Sequence, residues 1–312
     1  MRKPDFDPGL TQQFTGNVRR IINKDGTFNV RRRGDTWDDF HPYLHLINMH
    51  WVPFFALLFA GYLVINTAFA LSYYWLGPGE LQGADAGTAG GRFLNCFFFS
   101  AHTLSTVGYG SISPKGMGAN IIASLESLAG VLGFAVATGL LFGRVSRPSA
   151  KIGFSDNILM TPYQDITSLQ FRVVNRRAND LMEIEARVLL MTVDPADGQL
   201  LRKYRQLKLE REQVLFMPLT WTVVHPIDAE SPLWGITREQ FEREESEVMI
   251  LIKAYDDTFS QTVFSRYSYR HDEVLWNRRF APAFTVDDEG DLLLDVGKVG
   301  QVTESGGPPA LS

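Results

Sequence analysis

Two long apolar stretches place the strongest constraint on what this chain can fold into. Residues 52–76 contain no charged side chain, and Met117–Val145 contains a single acid, Glu126, and no base before Arg144. Crossing a hydrocarbon core about 30 Å thick takes roughly 20 residues of helix, which satisfies its own backbone hydrogen bonds in lipid. Buried helices of a soluble core are the alternative, but they rarely run this long without charge. We therefore predict two membrane-spanning helices.

Composition excludes several classes of function. The chain has 312 residues, 30 Lys and Arg against 35 Asp and Glu, a net charge of -5 and one cysteine, Cys96. The acidic balance disfavours nucleic-acid binding, and a lone cysteine excludes a disulfide framework and a cysteine-based zinc site. No glycine-rich dinucleotide motif follows a strand pattern, and no Ser/His/Asp arrangement is evident. We expect no enzyme activity, no cofactor and no nucleic-acid partner.

Basic residues indicate how the two helices are oriented. They lie before the first stretch and at or after the end of the second, and they are Arg19, Arg20, Lys24, Arg31, Arg32, Arg33, Arg144, Arg147 and Lys151. The loop 77–91 contains Glu80 and Asp85 but no Lys or Arg. Because basic residues concentrate on the cytoplasmic side of a membrane, we predict a multi-pass protein with both termini in the cytoplasm.

A short apolar segment, 92–105, lies between the two predicted spans with the sequence RFLNCFFFSAHTLS. It is too short to cross a bilayer and too apolar for a plain surface loop, which favours a re-entrant helix. The sequence TVGYG follows it directly, at residues 106–110.

The TVGYG sequence is the one known from potassium-channel selectivity filters, so its role is recognised rather than deduced. Carbonyl oxygens of Thr106, Val107, Gly108, Tyr109 and Gly110 can replace the water around a K+ ion when four chains form rings. Glycine at alternate positions permits backbone angles that other residues avoid. The side chains of Val107 and Tyr109 are expected to turn outward as a packed cuff. Two spans per chain then imply a homotetramer, with K+ as the permeant ion.

Apolar residues also recur at helical spacing just before the first span. The predicted stripe consists of Trp37, Phe40, Leu44, Ile47 and Trp51. Such a stripe favours a helix along the bilayer surface over residues 35–50. Pro42 lies within it, so the helix either begins near Pro42 or is kinked there. An ordinary linker into the membrane is the alternative.

The pattern changes after residue 149 to short alternating runs separated by turn signals. Many short strands at this spacing favour a β-sandwich. Only residues 237–246 are predicted to be helical, with Thr237 as N-cap and Gln240 three residues later. His225 is assigned a packing role.

Together these features resemble the prokaryotic, KirBac-type branch of the inward-rectifier potassium channels, over roughly residues 35–300. The resemblance rests on TVGYG, on GRVSRP at 143–148 and above all on TWTVVHPIDAESPLWG at 220–235. It implies a two-helix potassium-channel pore, all-α with a re-entrant pore helix, joined to a cytoplasmic immunoglobulin-like β-sandwich, in a bacterial inner membrane. The implied parts are a cytoplasmic N-terminal segment 1–34, an interfacial helix 35–50, a transmembrane pore domain 51–148, the β-sandwich 149–300 and a disordered tail 301–312.

The resemblance places the gate at Phe142, whose four rings would exclude water from the pore. Phe134 and Thr138 share its face of the helix at four-residue spacing and are implied to line the pore. Family members that rectify strongly carry an acid where Phe134 stands. Polyamines or Mg2+ therefore lack a carboxylate to hold them in the pore, and we expect weak rectification; Ba2+ is a further expected blocker. Gly130 and Gly139 serve either as hinges or as close packing contacts.

Two residues are predicted to support the filter. His102 stands where the family usually has Glu or Gln, which supports the loop by hydrogen bonding. It is either a neutral, satisfied histidine or a pH-sensitive one. Glu126 lies within a span, where an acid costs about 2.5–3.5 kcal/mol on insertion scales. We expect it to have a partner near the filter or near His102, or else to be protonated and hydrogen-bonded.

Arg144, Arg147 and Lys151 are predicted to bind lipid, because each base near anionic lipid contributes about 1 kcal/mol. The resemblance implies phosphoinositide recognition here, and the lack of further lysines suggests that it is inhibitory. Simple anchoring by positive charge is the alternative.

The resemblance also implies an aperture loop in the cytoplasmic domain at Lys253, Ala254 and Tyr255. The family usually has glycine where Lys253 stands, and we expect Asp256 and Asp257 to offset the charge of this lysine.

Other classes of protein are less consistent with these patterns. A voltage-gated channel needs an arginine-repeat helix, for which two spans leave no room, and a ligand-gated channel with a nucleotide-binding domain lacks its motif here. A membrane-anchored β-sandwich that acts as a sensor without conducting is the main alternative of another class, and the intact TVGYG argues against it.

Overall fold

The computed structural model describes residues 8–10, 13–14, 20–31, 33, 41–85, 87–146, 150–196 and 199–304. They fall into two compact units. One is Arg33–Arg147, and the other combines Pro148–Ser312 with Met1–Arg32. The first unit contains both apolar stretches and the second contains the alternating runs, and each is described by itself.

Four helices build the first unit. They are α1, Pro42–Asn48; α2, Trp51–Leu76; α3, Ala89–Leu104; and α4, Met117–Val145. With 26 and 29 residues at about 1.5 Å per residue, α2 and α4 are long enough to cross a bilayer. In each helix, only 17% of the most apolar segment is buried, whereas a core helix of a soluble protein is mostly buried. Two short strands, β2 (Leu81–Gln82) and β3 (Ser113–Pro114), pair between the helices.

The predicted helix between the spans is confirmed as α3. It begins three residues earlier than expected because Thr88 caps it, its hydroxyl oxygen accepting a hydrogen bond from the Gly91 amide at 3.2 Å. Cys96 and Phe99 of α3 are buried, and the Phe99 ring lies edge-on to that of Tyr73, 5.0 Å between centroids. α3 is therefore held between the two long helices.

The helix before the first span is short. It begins at Pro42, where proline costs no hydrogen bond, and ends at Asn48. Of the two alternatives, a start near Pro42 is therefore the one observed. Residues 35–40, with Trp37 and Phe40, lie outside the described part of the chain.

The second unit is a β-sandwich, as predicted. Its strands are β1, Gln13–Phe14; β4, Ile152–Phe154; β5, Ile158–Tyr163; β6, Ile166–Asn175; β7, Leu181–Ala196; β8, Gln199–Leu207; β9, Gln213–Phe216; β10, Thr220–Ile227; β11, Glu247–Asp256; β12, Gln261–Arg270; β13, Val274–Trp276; β14, Arg278–Phe280; β15, Phe284–Val286; β16, Leu292–Leu294; and β17, Val302–Glu304. One sheet has the order β1-β8-β7-β11-β12, with β9 beside β7, and the other has the order β10-β6-β5-β13, with β4 beside β6. Phe171, Leu190, Ile250 and Tyr269 are among the buried residues that fill the core.

Residues near the N-terminus pack on this sandwich. The Ile21 amide donates to the buried carboxylate of Glu247 at 3.2 Å. Arg20 and Lys24 both pair with Glu273, the lysine at 2.7 Å. Two of the bases that indicated the membrane orientation thus also tie the N-terminal segment to the β-domain.

One short helix interrupts the strands, α5 at Arg238–Arg243. The Thr237 hydroxyl oxygen accepts from the Gln240 amide at 3.2 Å, which is the predicted N-cap. The helix expected within 237–246 is therefore confirmed.

The expected disordered tail is wrong for its first residues. Val302–Glu304 form β17, which pairs with β14, and Arg278 of β14 lies 2.9 Å from Glu304. Val302 and Thr303 are β-branched residues, which favour a strand. Two such residues are too few to predict a strand from the sequence when Gly- and Pro-rich residues follow them. Residues 305–312 lie outside the described part of the chain.

His225 of β10 packs in the β-domain with both ring nitrogens bonded. Nδ1 is 2.6 Å from the Lys208 carbonyl oxygen and Nε2 is 2.8 Å from the Ser231 hydroxyl. Because a carbonyl only accepts, Nδ1 carries the proton and Nε2 accepts from the serine. The ring is 3% exposed, and this burial lowers the pKa of His225.

We predict that the β-domain loses stability below about pH 6.5. The unfolded state then binds a proton that folded His225 does not, so the free energy of unfolding falls by at most about 1.4 kcal/mol per pH unit until the folded pKa is reached. His225→Asn, which keeps a donor near Nδ1, removes this slope, and the exposed His41→Asn does not. Urea unfolding of the full chain, followed by tryptophan fluorescence between pH 5 and 8, measures it; equal slopes in all three proteins would contradict the prediction.

Candidate ion-conduction site

The residues that follow α3 alternate in backbone handedness. The angle φ is 62° at Thr106, 55° at Gly108 and 78° at Gly110, so every second residue is left-handed. Glycine adopts this region readily, whereas a residue with a side chain pays roughly 1–2 kcal/mol. Both glycines thus lie where the predicted filter needs them. Thr106 is a strained position that sequence reasoning missed, because nothing in the motif marks a β-branched residue at positive φ.

The end of α3 holds this segment through the main chain. The amides of Val107 and Gly108 donate to the His102 carbonyl oxygen at 2.9 and 3.1 Å. The His102 ring lies edge-on to the Tyr109 ring, with 4.8 Å between centroids. Among the described residues the His102 side chain makes no hydrogen bond to the filter. The contacts between His102 and the filter segment therefore come from its carbonyl and its ring, not from the expected side-chain hydrogen bond.

Glu126 is fully buried where α4 meets α2 and α3, with an exposure of 0%. Tyr73 of α2 donates its hydroxyl to Oε2 at 2.6 Å, and the Ser100 hydroxyl of α3 contacts Oε1. Within the described ranges no Lys, Arg or His forms an ion pair with Glu126. The partners are neutral hydroxyls, and Ser100 lies two residues before His102, where a partner was expected.

The number of available protons favours a neutral Glu126. Ser100 has one hydroxyl proton but faces two oxygens, Oε1 of Glu126 and Oδ1 of Asn66, the latter at 3.1 Å. The amide nitrogen of Asn66 donates to the Tyr62 carbonyl at 2.7 Å, which assigns Oδ1 as an acceptor. A proton on Oε1 lets Glu126 donate to Ser100, whose own proton then goes to Asn66. The alternative of a protonated, hydrogen-bonded carboxyl is the one these contacts support.

Three residues of α4 share one exposed face of the single chain. Phe134 is 76% and Phe142 71% exposed, and Thr138 between them is exposed as well. Large apolar rings that are exposed on a single chain are available for contact with lipid or with another protein surface.

The two glycines of α4 differ in their surroundings. A Cβ at Gly130 would collide with the carbonyl oxygen of Leu104, the last residue of α3, whereas a Cβ at Gly139 would meet no atom of the described residues within 4 Å. Gly130 is therefore a close packing contact next to the filter, and Gly139 has no such role in the single chain.

Comparison with known proteins identifies the family of this chain. A family model described as "Ion channel" matches residues 56–147, and one described as "Inward rectifier potassium channel C-terminal domain" matches residues 152–310, about half of the chain. The inward rectifier potassium channel Kirbac3.1 of Paramagnetospirillum magnetotacticum is 35% identical over 289 residues, which cover 91% of this chain and 96% of that protein. The chain belongs to the inward rectifier potassium channel family.

More distant members of this family include mammalian channels. The G protein-activated inward rectifier potassium channel 3 of Homo sapiens is 27% identical over 91% of this chain and 78% of its own length. Channel 1 of the same group is 26% identical over 98% of this chain and 65% of its own length. The KirBac-type resemblance is thus confirmed. The chain is a membrane potassium channel of the inward-rectifier type, with K+ as the permeant ion, in a family of ion channels and not of enzymes.

In this inward rectifier, the guanidinium of Arg144 faces protein and not solvent. It donates to the carbonyl oxygens of Leu46, Ile47 and Met49, the last two at 3.0 and 2.5 Å. These carbonyls belong to the last turn and C-cap of α1. Both terminal nitrogens of Arg144 are thus bonded to the main chain, and lipid binding by Arg144 stays a prediction.

The other two predicted lipid-binding residues differ from Arg144. Lys151 is exposed at the start of the β-domain, immediately before β4. Arg147 lies outside the described residues. Lipid binding at these two positions stays a prediction.

The predicted aperture residues lie in a strand. Lys253, Ala254 and Tyr255 fall inside β11, paired with β12 throughout and with β7 on either side of a bulge at this point. The expected loop is wrong here because the sequence alternates, and the buried Ile252 and Ala254 fill the sandwich core.

The charge of Lys253 is offset by an unexpected partner. Its Nζ lies 3.7 Å from Oε2 of Glu185 on β7, which Arg187 also contacts at 2.7 Å. Asp256 is buried and accepts from the Phe259 amide at 3.3 Å. Glu185 therefore replaces Asp256 and Asp257 as the partner of Lys253, a cross-strand pairing that sequence spacing does not reveal.

Proposed function

We propose that this inward rectifier assembles as a homotetramer and conducts K+ passively and selectively across a bacterial inner membrane, with both termini in the cytoplasm. The observation that carries the proposal is the alternating handedness of residues 106–110, held to the end of α3 by the His102 carbonyl. Four such segments around one axis supply the rings of oxygen that replace the water around K+. The proposed ion-binding residues are Thr106, Val107, Gly108 and Tyr109, with Gly110 completing the filter.

The inner part of the pore is proposed to be lined by Phe134, Thr138 and Phe142. Four Phe142 rings near the inner end of α4 form a hydrophobic gate that closes by excluding water. Phe134 carries no charge to hold a polyamine or Mg2+, so rectification is weak. His102 and Glu126 support the filter from behind, the first through its carbonyl and the second through Ser100.

The cytoplasmic side is proposed to modulate conduction. Arg147 and Lys151 bind anionic lipid, including phosphoinositide, which inhibits the channel by favouring one conformation of the inner helix end. Lys253, Ala254 and Tyr255 border the aperture of the cytoplasmic pore. The side chain of Lys253 shares the carboxylate of Glu185 with Arg187, so a net positive charge stays at this point.

Rubidium uptake tests this function. Purified tetramers in liposomes loaded with K+ are expected to accumulate rubidium from a K+-poor medium, with Ba2+ blocking uptake and Na+ failing to replace rubidium. Liposomes without protein give the background. A membrane-anchored sensor that does not conduct would show background uptake from correctly assembled tetramers, and that result would overturn the proposal.

A further inference from the structure

The larger sheet of the β-domain carries a cluster of cations on the face that points away from the core. Residues directly opposite each other on paired antiparallel strands share a face of the sheet. Two such rows run across β7, β11 and β12, in that order: Arg187, Leu251 and Arg266, and next to it Glu185, Lys253 and Phe264. These two rows are called the cationic patch below.

The cations of the cationic patch outnumber its acids. Arg187 contacts Oε1 of Glu185 at 2.7 Å, and Nζ of Lys253 lies 3.7 Å from Oε2. The hydrogen bond from Arg187 and the charge of Lys253 lower the pKa of Glu185, so its carboxylate is ionised at neutral pH. Glu185 is the one acid in these two rows of described residues, against three cations. Positive charge therefore remains here, although the whole chain has a net charge of -5.

The three cations are accessible to a ligand. The side chain of Arg187 is 65% exposed and that of Lys253 is 50% exposed. Arg266 is exposed as well, and its guanidinium lies 4.7 Å from the centroid of the Phe28 ring. This ring contact restrains the guanidinium of Arg266 and leaves its charge in place.

The spacing of the cations fits an anion with several charged groups. Neighbouring strands lie about 4.8 Å apart, so the main chains of Arg187 and Arg266 are about 10 Å apart, with Lys253 on the strand between them. Guanidinium groups bond phosphate oxygens in pairs, and an ammonium adds a point charge. A chain of linked phosphates can contact all three cations at once, whereas a single orthophosphate ion contacts fewer of them.

We propose that the cationic patch is a binding site for a soluble polyphosphate anion. Arg187, Lys253 and Arg266 bind its phosphate oxygens. Glu185 competes with the ligand for Arg187 and Lys253, which keeps the affinity moderate. The site belongs to the β-domain, so its occupancy does not depend on the proposed filter or gate.

Calorimetric titration of the purified full-length protein in neutral detergent with sodium tripolyphosphate tests this proposal. The double variant Arg187→Gln/Lys253→Gln is expected to bind at least about tenfold more weakly, because losing one hydrogen bond to a charged group already costs about this factor. Glu185→Gln is expected to bind about threefold more tightly, since it removes the competing carboxylate of an exposed ion pair. A gain in affinity cannot result from misfolding.

The matched control is the double variant Arg238→Gln/Lys298→Gln. It removes the same two charges elsewhere in the β-domain, where Arg238 is 65% exposed and pairs with Glu242, and Lys298 is 46% exposed and pairs with Asp295. Its affinity for tripolyphosphate is expected to equal that of the natural protein. Circular dichroism confirms that each variant is folded.

The source of the phosphate groups is separated by a second probe, inositol trisphosphate, which is the free headgroup of a phosphoinositide. The natural protein is expected to bind it more weakly than tripolyphosphate, and tighter binding would assign the patch to lipid recognition and overturn the inference. No binding of tripolyphosphate by the natural protein would also overturn it. Equal weakening in the two double variants would show a general effect of charge, and weaker binding by Glu185→Gln would show that the carboxylate does not compete with the ligand; both results contradict the proposal.

Discussion

Replacing Gly108 by alanine is expected to reduce barium-sensitive rubidium uptake by at least about a hundredfold. Gly108 has φ 55°, and a Cβ in this region costs roughly 1–2 kcal/mol per residue. The filter needs this backbone in all four subunits at once, so the cost is multiplied in the tetramer. Space is not the obstacle within one chain, since a Cβ at Gly108 would meet nothing within 4 Å in the described part of the chain.

The expected loss comes from backbone conformation, and a matched variant separates it from a general effect of a methyl group. Gly61 lies in α2 at ordinary helical angles, and a Cβ there also meets none of the described atoms within 4 Å. Gly61→Ala is expected to conduct normally, since alanine favours a helix over glycine by about 1 kcal/mol. The ratio of rubidium to sodium uptake gives a second readout, which falls in Gly108→Ala because a relaxed filter loses its ring geometry. Natural uptake and selectivity in Gly108→Ala would contradict the carbonyl filter.

The parts of the fold that the sequence predicts are those governed by local physics. Residues 52–76 lack charge over a length that only a bilayer or a large core accommodates, so the sequence predicts α2. Thr237 with Gln240 is a local capping arrangement, so α5 also follows. Strands separated by turns predict a sandwich because alternation places one face of each strand in a core.

The parts that escape prediction depend on residues distant in sequence. The sequence predicts that Glu126 has a partner but does not identify it, because Tyr73 and Ser100 bond it from two other helices. The charge of Arg144 predicts lipid binding, and its hydrogen bond to the end of α1 becomes evident only when α1 is placed beside it. Lys253 pairs with Glu185 across two strands instead of with its neighbours in sequence. In each case the composition indicates a polar or charged site, and only the packing of elements supplies the partner.

The buried cluster of Tyr73, Ser100 and Glu126 is the second place where a single substitution has a large expected effect. Glu126→Ala leaves the buried Tyr73 hydroxyl without its acceptor, at about 1–3 kcal/mol in each subunit, whereas Ser100 keeps its bond to Asn66. The cavity that remains adds to this loss. Because Ser100 lies in α3 close to His102, the filter is expected to lose order together with the helix packing.

Glu126→Gln is expected to restore most of what Glu126→Ala loses. The amide group of glutamine donates to Ser100 and its oxygen accepts from Tyr73, which reproduces the bonds of a protonated carboxyl. Tetramer dissociation on heating in detergent, measured with rubidium uptake, is expected to rank natural protein and Glu126→Gln close together and Glu126→Ala far below. Ser124→Ala on the same helix removes an exposed hydroxyl that bonds the Asn120 carbonyl at 2.8 Å and is the control, with little effect expected. If Glu126→Gln were as unstable as Glu126→Ala, the site would require an ionised carboxylate, and the neutral hydrogen-bonded arrangement would be wrong.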